Sequence, residues 1–281
     1  MSALATPEAV ATIRVAVVGL DATGLAIAEV LAERADCELV GGVDTRPELA
    51  ATDLASLIAG APAVPIASTV DAYAYAYAYA DVAVVATSSW IDVVEPVLVA
   101  LVCRGTNVVS ICDELRDPQL RHPEIVARRD AGHVMGHVGF DQTIAALARG
   151  LEWTLDRIEV DPVEPEFAAA ADRAGTHLTV PAGTVAGVVH RARGIRGGEP
   201  VIELVTYFGI FESGDDLPRG DSLTIVGREQ TIEVNVPGGY ESFLSMVAMA
   251  ANAVSAVVEA APGFRTILAL PVSALAARVP A

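Results

Sequence analysis

Two acids in succession, Asp113 and Glu114, follow directly on the apolar run NVVSIC at 107–112. A carboxylate at the end of a buried strand can pair with an ammonium ion and accept its proton. The same two acids would also serve as the N-cap and first turn of a following helix, stabilised by its dipole. A second set begins where the run IRVAVV at 13–18 ends in Gly19-Leu20-Asp21-Ala22-Thr23-Gly24. This is a G-x-G-x-x-G turn with its middle glycine replaced. In the intact motif the first glycine makes the turn, the second lets a pyrophosphate approach, and the third lets helix and strand pack closely. Asp21 brings bulk and like charge to the middle position. Two unit charges about 4 Å apart at an effective dielectric near 20 repel by about 4 kcal/mol. Without any ligand, Gly19 and Gly24 still make a tight turn. Asp44 closes the next apolar run, CELVGGVD at 37–44. A carboxylate there takes the adenosine ribose hydroxyls of NAD, whereas Arg46 beside it suits the 2′-phosphate of NADP.

These residues need elements to hold them. The strand at 13–18, a helical pattern from Leu25 to Ala35 and the strand at 37–44 have the length of one right-handed βαβ crossover. DVAVVATSS (81–89) reads as a third strand, 92–104 as a helix ending at Gly105, and 107–112 as a fourth strand. A helix at 118–131 and a strand at 133–139 follow. Strands apolar on both faces, alternating with helices, mean a parallel sheet covered on both sides. The expected fold is α/β, a Rossmann-type doubly wound sheet.

The pattern changes after about residue 140. RIEVDPVEPEF, EPVIELVTYFGIFE, DSLTIVGRE and QTIEVNVPGG alternate polar and apolar residues, as antiparallel strands with one wet face do. A helix at 141–155 links the two halves, and an Ala-rich helix from Tyr240 to Ala260 follows the Gly238–Gly239 break. The expected division is therefore 1–140 and 141–261, the second part being α+β on a largely antiparallel sheet. The tail at 262–281 would run back over the first part. AYAYAYAYA at 72–80 reads as a repeat tract on a surface helix or loop.

Composition narrows the function. The chain has 281 residues, 53% of them hydrophobic and 19% charged, which suits a packed globular protein. Its 36 acids outnumber 18 basic residues for a net charge of −18. Nucleic acids and anionic membranes both require a basic face, so neither is an expected partner. Every basic residue is Arg; with no Lys there is no Schiff-base or P-loop lysine. Three cysteines without C-x-x-C spacing give neither a disulfide framework nor a zinc site, and a reducing cytoplasm fits. The start of the chain lacks a signal-peptide pattern, and no strongly apolar run is expected to reach the 18 residues of a membrane span. His133 and His137 lie four apart on an expected strand, outside the helical H-E-x-x-H context of zinc, so no metal is expected.

VVATSS (84–89), Glu95-Pro96, RGTNVVSICDELRDP (104–118) and GVVHRARGIRGGEPVIEL (187–204) occur in order along the chain. Together with the DSLTIVGRE…GG…N…PG pattern at 221–263, they resemble the dihydrodipicolinate-reductase-like proteins. These include 2,4-diaminopentanoate dehydrogenase and the native amine dehydrogenases. The resemblance implies NAD(P)-dependent chemistry on a small amine, imine or ketone. On that reading Gly19, Asp21, Gly24, Asp44 and Arg46 meet the cofactor, and Thr87, Ser88 and Ser89 line its nicotinamide side. Glu114, with Asp113 beside it, handles the amine. The family's GVNPGF-like turn is replaced here by Gly136-His137-Val138-Gly139-Phe140-Asp141, so His137 and Phe140 become candidate pocket residues. Fold does not fix chemistry. The departures at Asp21 and at this turn leave open a non-redox cyclase or isomerase on the same scaffold, or a ligand-binding protein without catalysis. Apolar positions such as Ile202, Leu204, Val205, Ile225 and Val234 exceed what the second part's own helices can cover, which predicts a homodimer.

Overall fold

The computed structural model describes residues 12–50, 52–77, 80–115, 139–175, 178–215, 217 and 220–271. The chain forms two compact units, Met1–Leu115 with Glu241–Ala281, and Arg116–Tyr240.

In the first unit, β1 (Ile13–Val18), β2 (Cys37–Val43), β3 (Ile66–Ala67), β4 (Val82–Val85) and β5 (Asn107–Ser110) form a sheet ordered β3-β2-β1-β4-β5. Every pairing in it is parallel. The helices are α1 (Ala22–Ala32), α2 (Val70–Tyr77) and α3 (Ile91–Val102). Alternate residues of each strand face opposite sides. Val15, Val17, Val82 and Val84 join Ile27 and Leu31 of α1 in one buried cluster. Ala16, Val18, Ala83 and Val85 join Val70 and Leu101 in another. Both faces are thus covered, which is why these strands read as unbroken apolar runs.

The Ala-rich helix departs from expectation. It sits in the first unit, and the units divide at Leu115/Arg116 and Tyr240/Glu241 instead of near residues 140 and 261. Val247, Ala250, Ala251 and Val254 of this helix, α5 (Ser242–Glu259), complete the cluster around α1. Buried Arg34 fastens it: Nη1 donates to the Ala251 carbonyl at 2.6 Å and Nη2 to Ser255 Oγ at 2.7 Å. Small residues on that stripe let the two helices approach. By length and composition, 18 residues at a mean hydropathy of 1.5, α5 is apolar enough to cross a membrane, contrary to the expectation of no such run. One face of it packs against α1, β4 and β5, while Phe243, Leu244, Met249 and Val258 stay exposed.

The tyrosine tract begins as α2, and Tyr73 is buried in the second cluster. A Cβ on Gly41 would come within 2.1 Å of the Tyr73 ring, so the ring takes the space that a bare position on β2 leaves. Tyr73 is therefore a core residue, not part of a surface repeat.

In the second unit the elements are α4 (Phe140–Gly150), β6 (Arg157–Val160), β7 (Glu164–Ala168), β8 (Arg173–Ala174), β9 (Thr179–Val180), β10 (Val185–Arg196), β11 (Glu199–Gly209), β12 (Asp221–Val226) and β13 (Thr231–Val236). The main sheet is antiparallel in the order β11-β10-β6, with β7 also pairing β10. Its central strand, β10, contains His190, whose segment reads in the sequence as a strand or a helix start. Its marker is the Gly197–Gly198 pair, both at positive φ, which closes the β10–β11 hairpin as two-residue turns require. The amphipathic helix α4 lays Phe140 and Ile144 on Ala192, Ile158, Ile202 and Leu204. Among the described residues, β12 and β13 pair only with each other.

Candidate active site at the strand tips

The strand order reverses between β1 and β4, the switch point at which ligands meet the carboxyl ends of a doubly wound sheet. Gly19 makes the turn there at φ 89°, and a Cβ on it would meet the Ala86 carbonyl at 2.7 Å and Thr87 Cγ2 at 2.9 Å. A Cβ on Gly24 would lie 1.7 Å from the Gly19 carbonyl oxygen. Both positions are closed to any side chain, so the first and third glycines keep their fingerprint roles.

The middle position behaves differently. Asp21 is the N-cap of α1, and its Oδ1 accepts from the amides of Thr23 at 3.0 Å and Gly24 at 3.2 Å. The carboxylate satisfies the same helix-end donors that a pyrophosphate would use. Asp44 is buried and carries four contacts. Its Oδ1 accepts from the Arg46 amide and Nε, each at 2.9 Å. Its Oδ2 accepts from the Leu20 amide at 2.8 Å and Arg46 Nη2 at 2.9 Å. The Arg46 guanidinium, more than the two amides, holds this carboxyl down at about 2 against the opposing effect of burial.

Thr87 is exposed, and Ser88 and Ser89 are half-buried on the loop after β4. Ser88 Oγ accepts from the Trp90 amide at 3.1 Å. The segment after β5 follows this loop closely. The Cys112 thiol donates to the Ser89 carbonyl at 3.2 Å, and the Glu114 amide donates to the same oxygen at 3.4 Å. Burial pushes the Cys112 thiol up to about 11, so it is a neutral tie between loops and not a nucleophile.

Asp113 and Glu114 lie in a short 3-10 turn. Glu114 caps a helix that precedes it in sequence: its Oε2 accepts from the Ile91 amide at 2.7 Å, the first amide of α3, and the helix expected after it lies outside the described residues. The Trp90 side chain at the N-cap makes no capping bond, and Glu114 supplies one from 23 residues away. The other Glu114 oxygen has no partner among the described residues. One carboxylate oxygen is thus fixed and one is open.

The first unit therefore gathers Gly19, Asp21, Gly24, Asp44, Arg46, Thr87, Ser88, Ser89, Asp113 and Glu114 at one end of its sheet. Phe140 is not among them. It lies in the core of the second unit, stacked on buried His190 with ring centroids 4.7 Å apart. His137, like His133, lies outside the described residues. Among the described residues there is no group of three or more His, Cys, Asp or Glu placed to hold a metal. A cavity of about 370 Å³ lies elsewhere, beside the C-terminal end of α5, where Ala256, Ala260 and Leu270 line it with Glu259 and Arg265. It holds neither the glycine turn nor the paired acids.

A dinucleotide fits the strand-tip frame on one condition, that Asp21 turns away from the helix end. Asp21 is exposed, so no burial is lost. An N-cap contact is worth about 1 kcal/mol, small beside the roughly 8 kcal/mol of a micromolar ligand.

The family model for the 2,4-diaminopentanoate dehydrogenase C-terminal domain matches residues 121–279, more than half of the chain. The chain belongs to this family. Within it, a 2,4-diaminopentanoate dehydrogenase of Acetoanaerobium sticklandii is 31% identical over 144 residues, 50% of this chain. The aligned part spans 39% of the length of that relative. An amine dehydrogenase of Mycobacterium smegmatis superposes with a TM-score of 0.75 at 18% identity, over 94% of this chain and 97% of its own. At that identity the likeness is one of fold: a Rossmann-type sheet joined to an antiparallel α+β unit.

Proposed function

We propose that this protein is an NAD(P)-dependent oxidoreductase acting on a small amine, imine or ketone. The observation that carries the reading is Glu114, held by one oxygen on the first amide of α3 with the other open, at the sheet end that bears the Gly19 turn. Membership of the diaminopentanoate dehydrogenase family supports it. So does the name of the mycobacterial amine dehydrogenase that shares the fold.

The nicotinamide cofactor, when bound, supplies or accepts a hydride. Gly19 and Gly24 would hold it by leaving its path clear, and Thr87, Ser88 and Ser89 by lining the tip of β4. Glu114 pairs with the substrate ammonium through its open oxygen and takes up or returns the proton that amine and imine exchange. The bond from Ile91 keeps that oxygen in place through the transfer, since a fixed acceptor costs no reorganisation when charge develops. Cys112 keeps the β4 and β5 loops in register by its bond to the Ser89 carbonyl.

The test is spectrophotometric. Purified protein is given NADPH or NADH, excess ammonium and a panel of short ketones, and in reverse NADP or NAD with the matching amines. Ammonium-dependent loss of the reduced nucleotide absorbance is the expected result. Nucleotide binding without turnover on any amine, ketone or alcohol, together with conversion of an amine-free substrate without change in absorbance, would favour the non-redox cyclase or isomerase.

We propose further that two copies associate through the second unit. Ile202 and Leu204, expected at that surface, are partly buried against α4. Val205 at 48% exposure, Ile225 at 50% and Val234 at 47% remain uncovered.

A further inference from the structure

We propose that the cavity at the C-terminal end of α5 is a binding site for a small zwitterion, a free α-amino acid with an aliphatic side chain. The cavity is built wholly from the first unit and holds no strand-tip residue, so the inference stands apart from the oxidoreductase reading. Pro262 cannot continue the helix, and Gly263 at φ 123° turns the chain. The segment 265–271, with its short 3-10 turn Ile267–Ala269, then shares the cavity wall with the last turn of α5. The volume of about 370 Å³ lies at the lower end of the range for small-molecule sites.

Two side chains of opposite charge line this cavity. Glu259 belongs to the last turn of α5 and Arg265 to the returning segment. Among the described residues they form no ion pair with each other or with any other group. Arg265 Nε donates to the Ala261 carbonyl at 3.2 Å. That bond holds the guanidinium at the helix end and leaves both terminal nitrogens without a partner among the described residues. They present the fork that a carboxylate fits. An ammonium group has its own partner in Glu259. No described donor meets the carbonyls of Val257, Val258 or Glu259, so the negative end of the helix adds to the Glu259 carboxylate. Ala256, Ala260, Ala269 and Leu270 supply an apolar wall whose short side chains leave room for a branched hydrocarbon. A ligand with one charge meets a matching group and an opposing one, whereas a zwitterion matches both. The net charge of −18 further disfavours capture of a simple anion.

Calorimetry on the full chain, without nucleotide, compares L-leucine with two analogues of similar shape. N-acetyl-L-leucine lacks the ammonium group and L-leucinamide lacks the carboxylate. We expect leucine to bind with a Kd of about 1 mM or tighter, and each analogue at least about fivefold more weakly, as suits contacts to exposed charges. Glu259→Gln should erase the preference for leucine over its N-acetyl form and keep the preference over the amide. Arg265→Gln should do the reverse. A general loosening of the fold would weaken all three ligands together and could not exchange the two preferences. Ala256→Phe fills the cavity with both charges in place and should abolish binding. No binding of leucine at about 10 mM, equal binding of the three ligands, or folded Gln variants that do not exchange the preferences would overturn the inference. Hydride transfer enters none of these measurements, so the oxidoreductase reading can fail while this site stands, and the reverse.

Discussion

The first unit covers both faces of its sheet, and the second leaves one of its sheets bare. Strands β1 and β4 are buried on both sides by α1, α2, α3 and α5. The β12–β13 ribbon pairs Leu223 with Val234 and Ile225 with Ile232 on one face, and all four are about half exposed. Its other face carries Ser222, Thr224, Glu233 and Asn235. A two-stranded ribbon is marginal in water by itself. The difference teaches a division of labour. A unit with a closed core can hold side chains to fractions of an ångström, which the chemistry of a carboxylate requires. A unit with an uncovered apolar ribbon gains by meeting a second surface.

The strongest way to break this contrast is at Glu114. Glu114→Gln keeps an oxygen for the Ile91 amide and removes the proton acceptor. General acid–base groups contribute about 10² to 10⁴-fold. We expect turnover to fall by about 100-fold with the melting temperature nearly unchanged. Full activity, or early melting without loss of turnover, would reduce Glu114 to a structural cap.

The ribbon comes next. Light scattering at micromolar concentration should give the mass of two chains. Ile225→Arg places a charge on the apolar face and should weaken association about 30-fold, the equivalent of about 2 kcal/mol. A monomeric natural protein, or a variant that associates as before, means the face is not the contact.

Asp21 sharpens the comparison within the first unit. Asp21→Gly removes bulk and charge from the helix end and costs only a few tenths of a kcal/mol in capping. Affinity for NADPH, followed by tryptophan fluorescence, should rise about tenfold. No change, or a loss, would show that the phosphates do not pass that helix end.

The smallest effect is in acid. Asp44 is held well below the ordinary carboxylate range, so its pairing stabilises the folded chain fully above about pH 4. That contribution is lost as pH falls through about 2. Asp44→Asn should lower the melting temperature by a few degrees at pH 7 and melt less steeply with acid below pH 4. Parallel melting curves across that window would show that the pair adds nothing to stability.

Much of the first unit is legible in the chain because its signals are local. Apolar runs of β-branched residues mark β1, β2 and β4, and the spacing of Gly19 from Gly24 and of both from Asp44 marks the switch-point turn. Their types also reveal the missing middle glycine. The second unit is less legible. β10 has an irregular mix of Gly, His and Arg, and its buried and half-buried positions follow no regular alternation. Phe140 appears in a motif-like turn, yet its neighbours in space, not in sequence, make it a core ring.

By itself the sequence determined the class of fold, the acids and glycines at the strand tips, and the excess of acids over bases, since each depends on residue type and short spacing. Tertiary structure alone decided the rest. Arg34 reaches 217 residues along the chain to claim α5 for the first unit. Glu114 caps α3 from 23 residues away, and Arg46 fills every acceptor site that Asp44 offers beyond the Leu20 amide. Hydrogen bonds follow direction and distance between atoms, and only the folded backbone brings those donors to those acceptors.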